Sequence, residues 1–124
     1  MVATKYLLDT LTNYVMNFIQ TNLTHIAVGT DNTPPTTSDT ALGNEVLRKA
    51  AQEISVDSIN NTVTASMWIA STEANGTTLQ EVGTFDSDTD GNMLSRNTFN
   101  AIPKDDTMEV WIDIEFTVSV NEVS

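Results

Sequence analysis

The sequence predicts a mainly β protein, an antiparallel β-sandwich of about six strands preceded by one N-terminal α-helix. Three observations carry this. Apolar residues recur at three- and four-residue steps over positions 4–22, the spacing of one helix face. From residue 25 onward the period drops to two, in runs punctuated by Gly, Asn, Asp and Pro. The chain has 124 residues and no cysteine, a length at which one compact domain buries roughly two-thirds of its unfolded surface without covalent staples. The expectation is therefore a single domain over 1–124, with the helix at 4–22 and the sandwich at 24–121.

In the helix, Leu7, Leu8, Leu11, Tyr14, Val15, Phe18 and Ile19 form a wide apolar stripe, with Asp9, Thr12, Asn13 and Asn17 between them. Thr4 is placed to cap the start and Asn22 lies at the end. His25 to Gly29 (HIAVG) reads as a short strand. It is followed by TDNTPPTTSDT, a loop of turn formers with Pro34 and Pro35 in tandem. A loop of this length either packs across the sheet or contacts a partner. Asn44 to Val56 reads as one strand with a bend. After the turn DSINN, the run TVTASMWIA alternates cleanly: Val63, Ala65, Met67 and Ile69 point one way, Thr64, Ser66 and Trp68 the other. A turn at Glu73 to Gly76 precedes a strand from Thr77 to Phe85, and the hairpin tip SDTDGN leads to a strand from Met93 to Ala101. The last run alternates from Met108 to Val120. Seven apolar positions at that spacing reach over ~40 Å if fully extended. Such a strand crosses the whole sandwich and projects, bends between sheets, or pairs with another subunit.

Composition excludes several functions. Without cysteine there is no thiolate metal site, thiol nucleophile or disulfide framework. Seventeen acidic residues against five bases (Lys5, Arg48, Lys49, Arg96, Lys104) give a net charge of −12. That charge argues against nucleic acid and anionic lipid as partners, since both require clustered positive surface. No stretch approaches the ~20 apolar residues of a membrane span, so membrane insertion is not expected. The N-terminus lacks the pattern of a secretory signal. The acidity fits either a salty medium or ordinary solubility.

The candidate chemistry is sparse. Asp86, Asp88 and Asp90, with Gly91, match the first half of a calcium loop, but position 12 is Asn97 instead of a bidentate Glu. The segment reads first as an Asp-Gly hairpin turn, with a weak calcium site as the alternative. His25, the single histidine, is expected to be structural. Glu45, Glu53, Glu73 and Glu81 scatter over several strands and read as solvated surface rather than as a catalytic carboxylate pair. Trp68 and Trp111 lie on the polar faces of their strands, either as packing beneath the helix or a neighbouring subunit or as a sugar-stacking platform. No enzyme activity, cofactor or metal is expected.

The stretches LTHIAVGTDNTPPTTSDTALGNEVLRKA and TVTASMWIASTEANGTTLQEVGTFD, with the late hairpin and strand, resemble the N-terminal domain of phage tail-collar fibre proteins and related short virion proteins. The family reads roughly "thialG", here Thr24 to Gly29, then "TaL.nEv.R", here Thr40 to Arg48, then "t..EvGlFd", here Thr78 to Asp86 with Thr84 in place of the usual apolar residue. The resemblance implies a non-enzymatic virion component, assembled in the host cytoplasm, that attaches a fibre to the tail or baseplate as a homotrimer. In tail-collar fibres the domain heads a long chain ending in a receptor-binding tip. With the sequence ending at Ser124, the expectation is an adaptor, a baseplate or tail-tip component or a capsid-surface decoration, contacting other virion proteins. A carbohydrate-binding module is the alternative.

Within the motifs, Gly29 ends a strand, Gly76 turns the chain and Gly83 admits a close neighbour inside a strand. Arg48 is expected to pair with Glu81 across strands, with Glu45 as the other candidate. The expected interface residues are Leu7, Leu11, Tyr14 and Phe18 on the helix and Pro34 and Pro35 in the loop.

Overall fold

A computed structural model describes residues 1–121. The helix α1 spans Lys5–Asn22 and is followed by seven strands: β1 His25–Gly29, β2 Glu45–Ala50, β3 Glu53–Asp57, β4 Thr62–Ile69, β5 Thr77–Phe85, β6 Met93–Lys104 and β7 Val110–Thr117. They form two antiparallel sheets, ordered β2-β1-β5-β6 and β3-β4-β7. The mainly β architecture and the N-terminal helix agree with the sequence reading. The strand count rises from about six to seven because the bent strand expected over 44–56 is two strands in different sheets. Ala51 N–H donates to the Thr24 carbonyl beside the first sheet, and Gln52 N–H to the Ser66 carbonyl in the second. The chain therefore changes sheets within two residues.

The core lies between the sheets. Val63, Ala65, Met67 and Ile69 of β4 are buried there with Ile26, Val28, Leu79 and Ile114, which is the alternation read from TVTASMWIA. One end is closed by α1, whose Met16 and Ile19 enter this core together with Leu23 just beyond the helix. The first sheet is buried on its outer face too. The connection from Thr30 to Asn44 folds across it, and Leu42 packs there on Ala27, Phe85 and Met93. That second layer makes β1 and the end of β5 buried on both faces, and explains why HIAVG does not alternate. The long loop thus packs across the sheet, one of the two roles expected for it.

The last strand is shorter than expected. Paired residues end at Thr117, opposite Thr62, where β4 itself begins. Val118 still enters the core and its N–H donates to the Asn61 carbonyl, so the apolar alternation outlasts the ladder. Conversely, β6 runs to Lys104, beyond the expected Ala101. It carries an irregularity opposite Leu79 and Glu81, whose partners are Ile102 and Thr98.

Candidate functional site

The apolar stripe of α1 divides into two. Thr4 caps the helix, its hydroxyl accepting from Leu7 N–H at 3.4 Å. The face turned to the sandwich is Leu8, Thr12, Met16 and Ile19. Thr12, expected on the polar side, is buried, and satisfies its hydroxyl by donating to the Leu8 carbonyl at 2.9 Å. The remaining apolar side chains of the stripe, Val15 among them, face solvent: Leu7 is 46% exposed, Leu11 43%, Tyr14 71% and Phe18 54%. These last four recur at i, i+4, i+7 and i+11 and form one row. At its C-terminal end the row opens into a cleft of about 430 Å³ lined by Phe18, Ile19, Leu94 and Phe116.

Pro34 and Pro35 are exposed at the tip of the long loop, and a buried ionic cluster holds that loop down. Glu81 has no exposed surface. It accepts from the backbone N–H groups of Asp31 (3.0 Å), Gly43 (2.8 Å) and Asn44 (2.9 Å), and from Arg96 Nε at 3.1 Å. Arg96 in turn donates to the Thr33 carbonyl (2.9 Å), Asp39 (3.2 Å) and Asp31 (3.3 Å). Burial alone would raise the Glu81 carboxyl, but the three backbone donors and Arg96 outweigh it and hold its pKa below the ordinary value. Asp39 is likewise lowered, chiefly by the Thr36 N–H.

This cluster corrects two sequence readings. Glu81 is not a solvated surface residue, and its partner is Arg96, not Arg48. Arg96 sits opposite Gly83 in the β5–β6 ladder, and Glu81 opposite Thr98 two residues away, so the two side chains are diagonal neighbours on one face. Gly29, opposite Glu81 on β1, supplies the room: a Cβ there would lie 2.4 Å from the Glu81 carboxylate and 2.3 Å from the Asn44 carbonyl. Arg48 pairs instead with Glu45 through two contacts of 2.7 and 3.2 Å. Its guanidinium stacks 3.7 Å above the Phe85 ring and donates to the carbonyls of Ser87 and Asp90.

Those last contacts fix the hairpin tip. Asp86 accepts from Asn92 N–H at 2.7 Å and from its amide at 3.0 Å, which closes the loop and lowers the Asp86 pKa. Asp90 and Gly91 both take positive φ, the backbone of an Asp-Gly turn. Asp88 and Asp90 are exposed. Among the described residues no group of three or more acidic or histidine side chains is arranged to hold a metal ion.

The other singled-out residues are dispersed. His25 begins β1 with Nδ1 2.8 Å from the Thr24 hydroxyl. Glu73 accepts from Lys49 at 2.7 Å and from Ala70 N–H at 2.9 Å, while Glu53 is exposed on β3. Gly76 turns the chain with φ +82°. Trp68 and Trp111 are cross-strand partners with ring centroids 6.3 Å apart. Trp111 is 60% exposed, so the helix does not cover it. Sequence reasoning missed Lys104, which is buried and donates to Asn75 (2.8 Å) and to the Asp105 carbonyl (2.9 Å). A lysine is ordinarily a surface residue, and nothing in its neighbours announces the burial.

The model of the family described as phage tail-collar fibre protein, N-terminal, matches residues 1–120. The chain belongs to that family. It is thus a phage tail structural protein, a component of the virion that contacts other virion proteins. No curated protein matches the chain. No helix among the described residues is long and apolar enough to cross a membrane.

Proposed function

We propose that this tail-collar fibre domain is a non-enzymatic attachment component of the tail or baseplate, assembled in the host cytoplasm as a homotrimer and acting through protein–protein interfaces. The observation that carries the reading is the exposed row Leu7, Leu11, Tyr14 and Phe18 on a helix whose neighbouring face is already buried. Aromatic side chains at the centre of a contact supply much of its affinity. The loop bearing Pro34 and Pro35 is a second contact, pre-shaped by Glu81 and Arg96, so that docking costs little ordering.

Two experiments test this. Light scattering on the purified chain gives the number of copies, with three expected. A density map of the virion locates them, with a fixed position at the tail or baseplate expected. A chain that stays monomeric at micromolar concentration argues against self-assembly, and a chain absent from the tail overturns the attachment role.

A further inference from the structure

The side of the sandwich formed by β6 and β7 is open. These are the outer strands of their sheets, and between them runs a groove of about 650 Å³ lined by Phe99, Ile102, Trp111, Ile112 and Ile114 among others. The two edges differ. The β6 edge is interrupted at residues 99–101, between the partners of Leu79 and Glu81, and ends near Pro103. Bulges and prolines are devices that block pairing with another strand. β7 has neither: its eight residues pair with β4 without a register break, and on the far side its row of backbone donors and acceptors faces no strand among the described residues.

Charge identifies the occupant. Along β7 the outward positions are Trp111, Asp113, Glu115 and Thr117, all exposed, while Val110, Ile112 and Phe116 face inward and are only half-buried. Asp113 has one neighbouring donor, the Ser66 hydroxyl at 2.6 Å. All five Lys and Arg side chains are already engaged: Lys5 with Asp9, Arg48 with Glu45, Lys49 with Glu73, Arg96 in the buried cluster and Lys104 with Asn75. A second copy of β7 would place acid against acid.

We infer that β7 accepts an added β-strand from a different protein, an extended segment in which apolar residues alternate with lysine or arginine. Its apolar side chains enter the groove against Phe99, Ile102 and Ile112, and its cations lie beside Asp113 and Glu115. Backbone pairing supplies affinity and the alternating side chains supply selectivity. The inference deepens the attachment reading by naming the chemistry of one partner, and rests on it.

The test titrates the intact protein with an eight-residue peptide alternating valine and lysine. The comparison peptides carry the same residues in two blocks, or glutamate in place of lysine. Tryptophan fluorescence reports binding, and amide hydrogen exchange reports where. Saturable binding of the alternating lysine peptide is expected, with about tenfold or greater slowing of exchange confined to β7 amides. The double variant Asp113→Lys, Glu115→Lys should prefer the glutamate peptide by about tenfold. Equal binding of the block peptide, protection at β6, protection nowhere, or self-pairing of β7 in the free protein would each overturn the inference. Exchange on the unaltered chain decides the matter even if the double variant folds poorly. Failure here leaves the virion position untouched, whereas absence from the tail is seen in the density map independently of any peptide.

Discussion

Glu81 is a carboxylate without exposed surface that receives four donors, three of them backbone N–H groups of the long loop. Truncating it to Ala leaves Arg96 buried without its principal counter-charge and orphans those N–H groups. The expected cost is about 3–5 kcal/mol in urea unfolding, the range for breaking a buried pair from one side. Faster amide exchange at Asp31, Gly43 and Asn44 should accompany it. The same residue sets an acid limit. A carboxyl whose folded pKa lies below its unfolded value contributes fully above the unfolded pKa and loses that contribution as pH falls through the folded one. Asp39 acts in the same direction. Thermal stability should therefore hold from neutral pH down to the ordinary carboxylate range near 4 and fall below it. Glu81→Gln should flatten that dependence, and an unchanged acid profile would remove Glu81 from the account. The family motif singled out Glu81, but its scatter among other acids read as solvated surface, and neither its burial nor its partner was visible. Two arginines were available, and only the β5–β6 register puts Arg96 on the diagonal.

At the scale of elements, the alternating strands and the capped helix were legible because period and caps are local properties. The division of the helix stripe was not. Leu8, Thr12, Met16 and Ile19 differ from Leu7, Leu11, Tyr14 and Phe18 by one step of rotation, and which row faces the core depends on how the helix meets the sheets. The sheet change at Ala51 and Gln52 was hidden for the same reason, since its two hydrogen bonds go to residues distant in sequence. The two helix faces give opposite predictions. Met16→Ala should cost about 2–5 kcal/mol of folding stability. The pair Tyr14→Ala and Phe18→Ala should leave circular dichroism and the unfolding midpoint of the isolated chain nearly unchanged while weakening oligomerisation and entry into virions. If the double variant assembles normally, the exposed row is not the interface. At the hairpin tip, Asp86 is committed to Asn92, and Arg48 points its guanidinium at the Ser87 and Asp90 carbonyls. Calorimetry should accordingly show no calcium binding tighter than about 10⁻⁵ M, the range of complete sensor loops.

For the whole molecule, charge and apolar surface act against each other, and salt separates their effects. Each copy carries a net charge of −12, and its Lys and Arg side chains are engaged within the chain. Bringing copies together through the helix row therefore gains apolar burial but is opposed by mutual repulsion. The Debye length falls from about 30 Å at 0.01 M salt to about 3 Å at 1 M, so added salt removes the repulsion and leaves the apolar gain. Self-assembly through α1 should strengthen as salt rises. Association of a basic strand with Asp113 and Glu115 depends on attraction between opposite charges, and should weaken over the same range. Sedimentation of the chain alone and fluorescence titration with the lysine peptide, each run from about 0.02 to 0.5 M salt, should therefore move in opposite directions. A homo-oligomer that dissociates as salt rises would mean that its contacts are ionic, and would move the interface away from Leu7, Leu11, Tyr14 and Phe18 to a surface where acidic side chains meet the few cations of a neighbour.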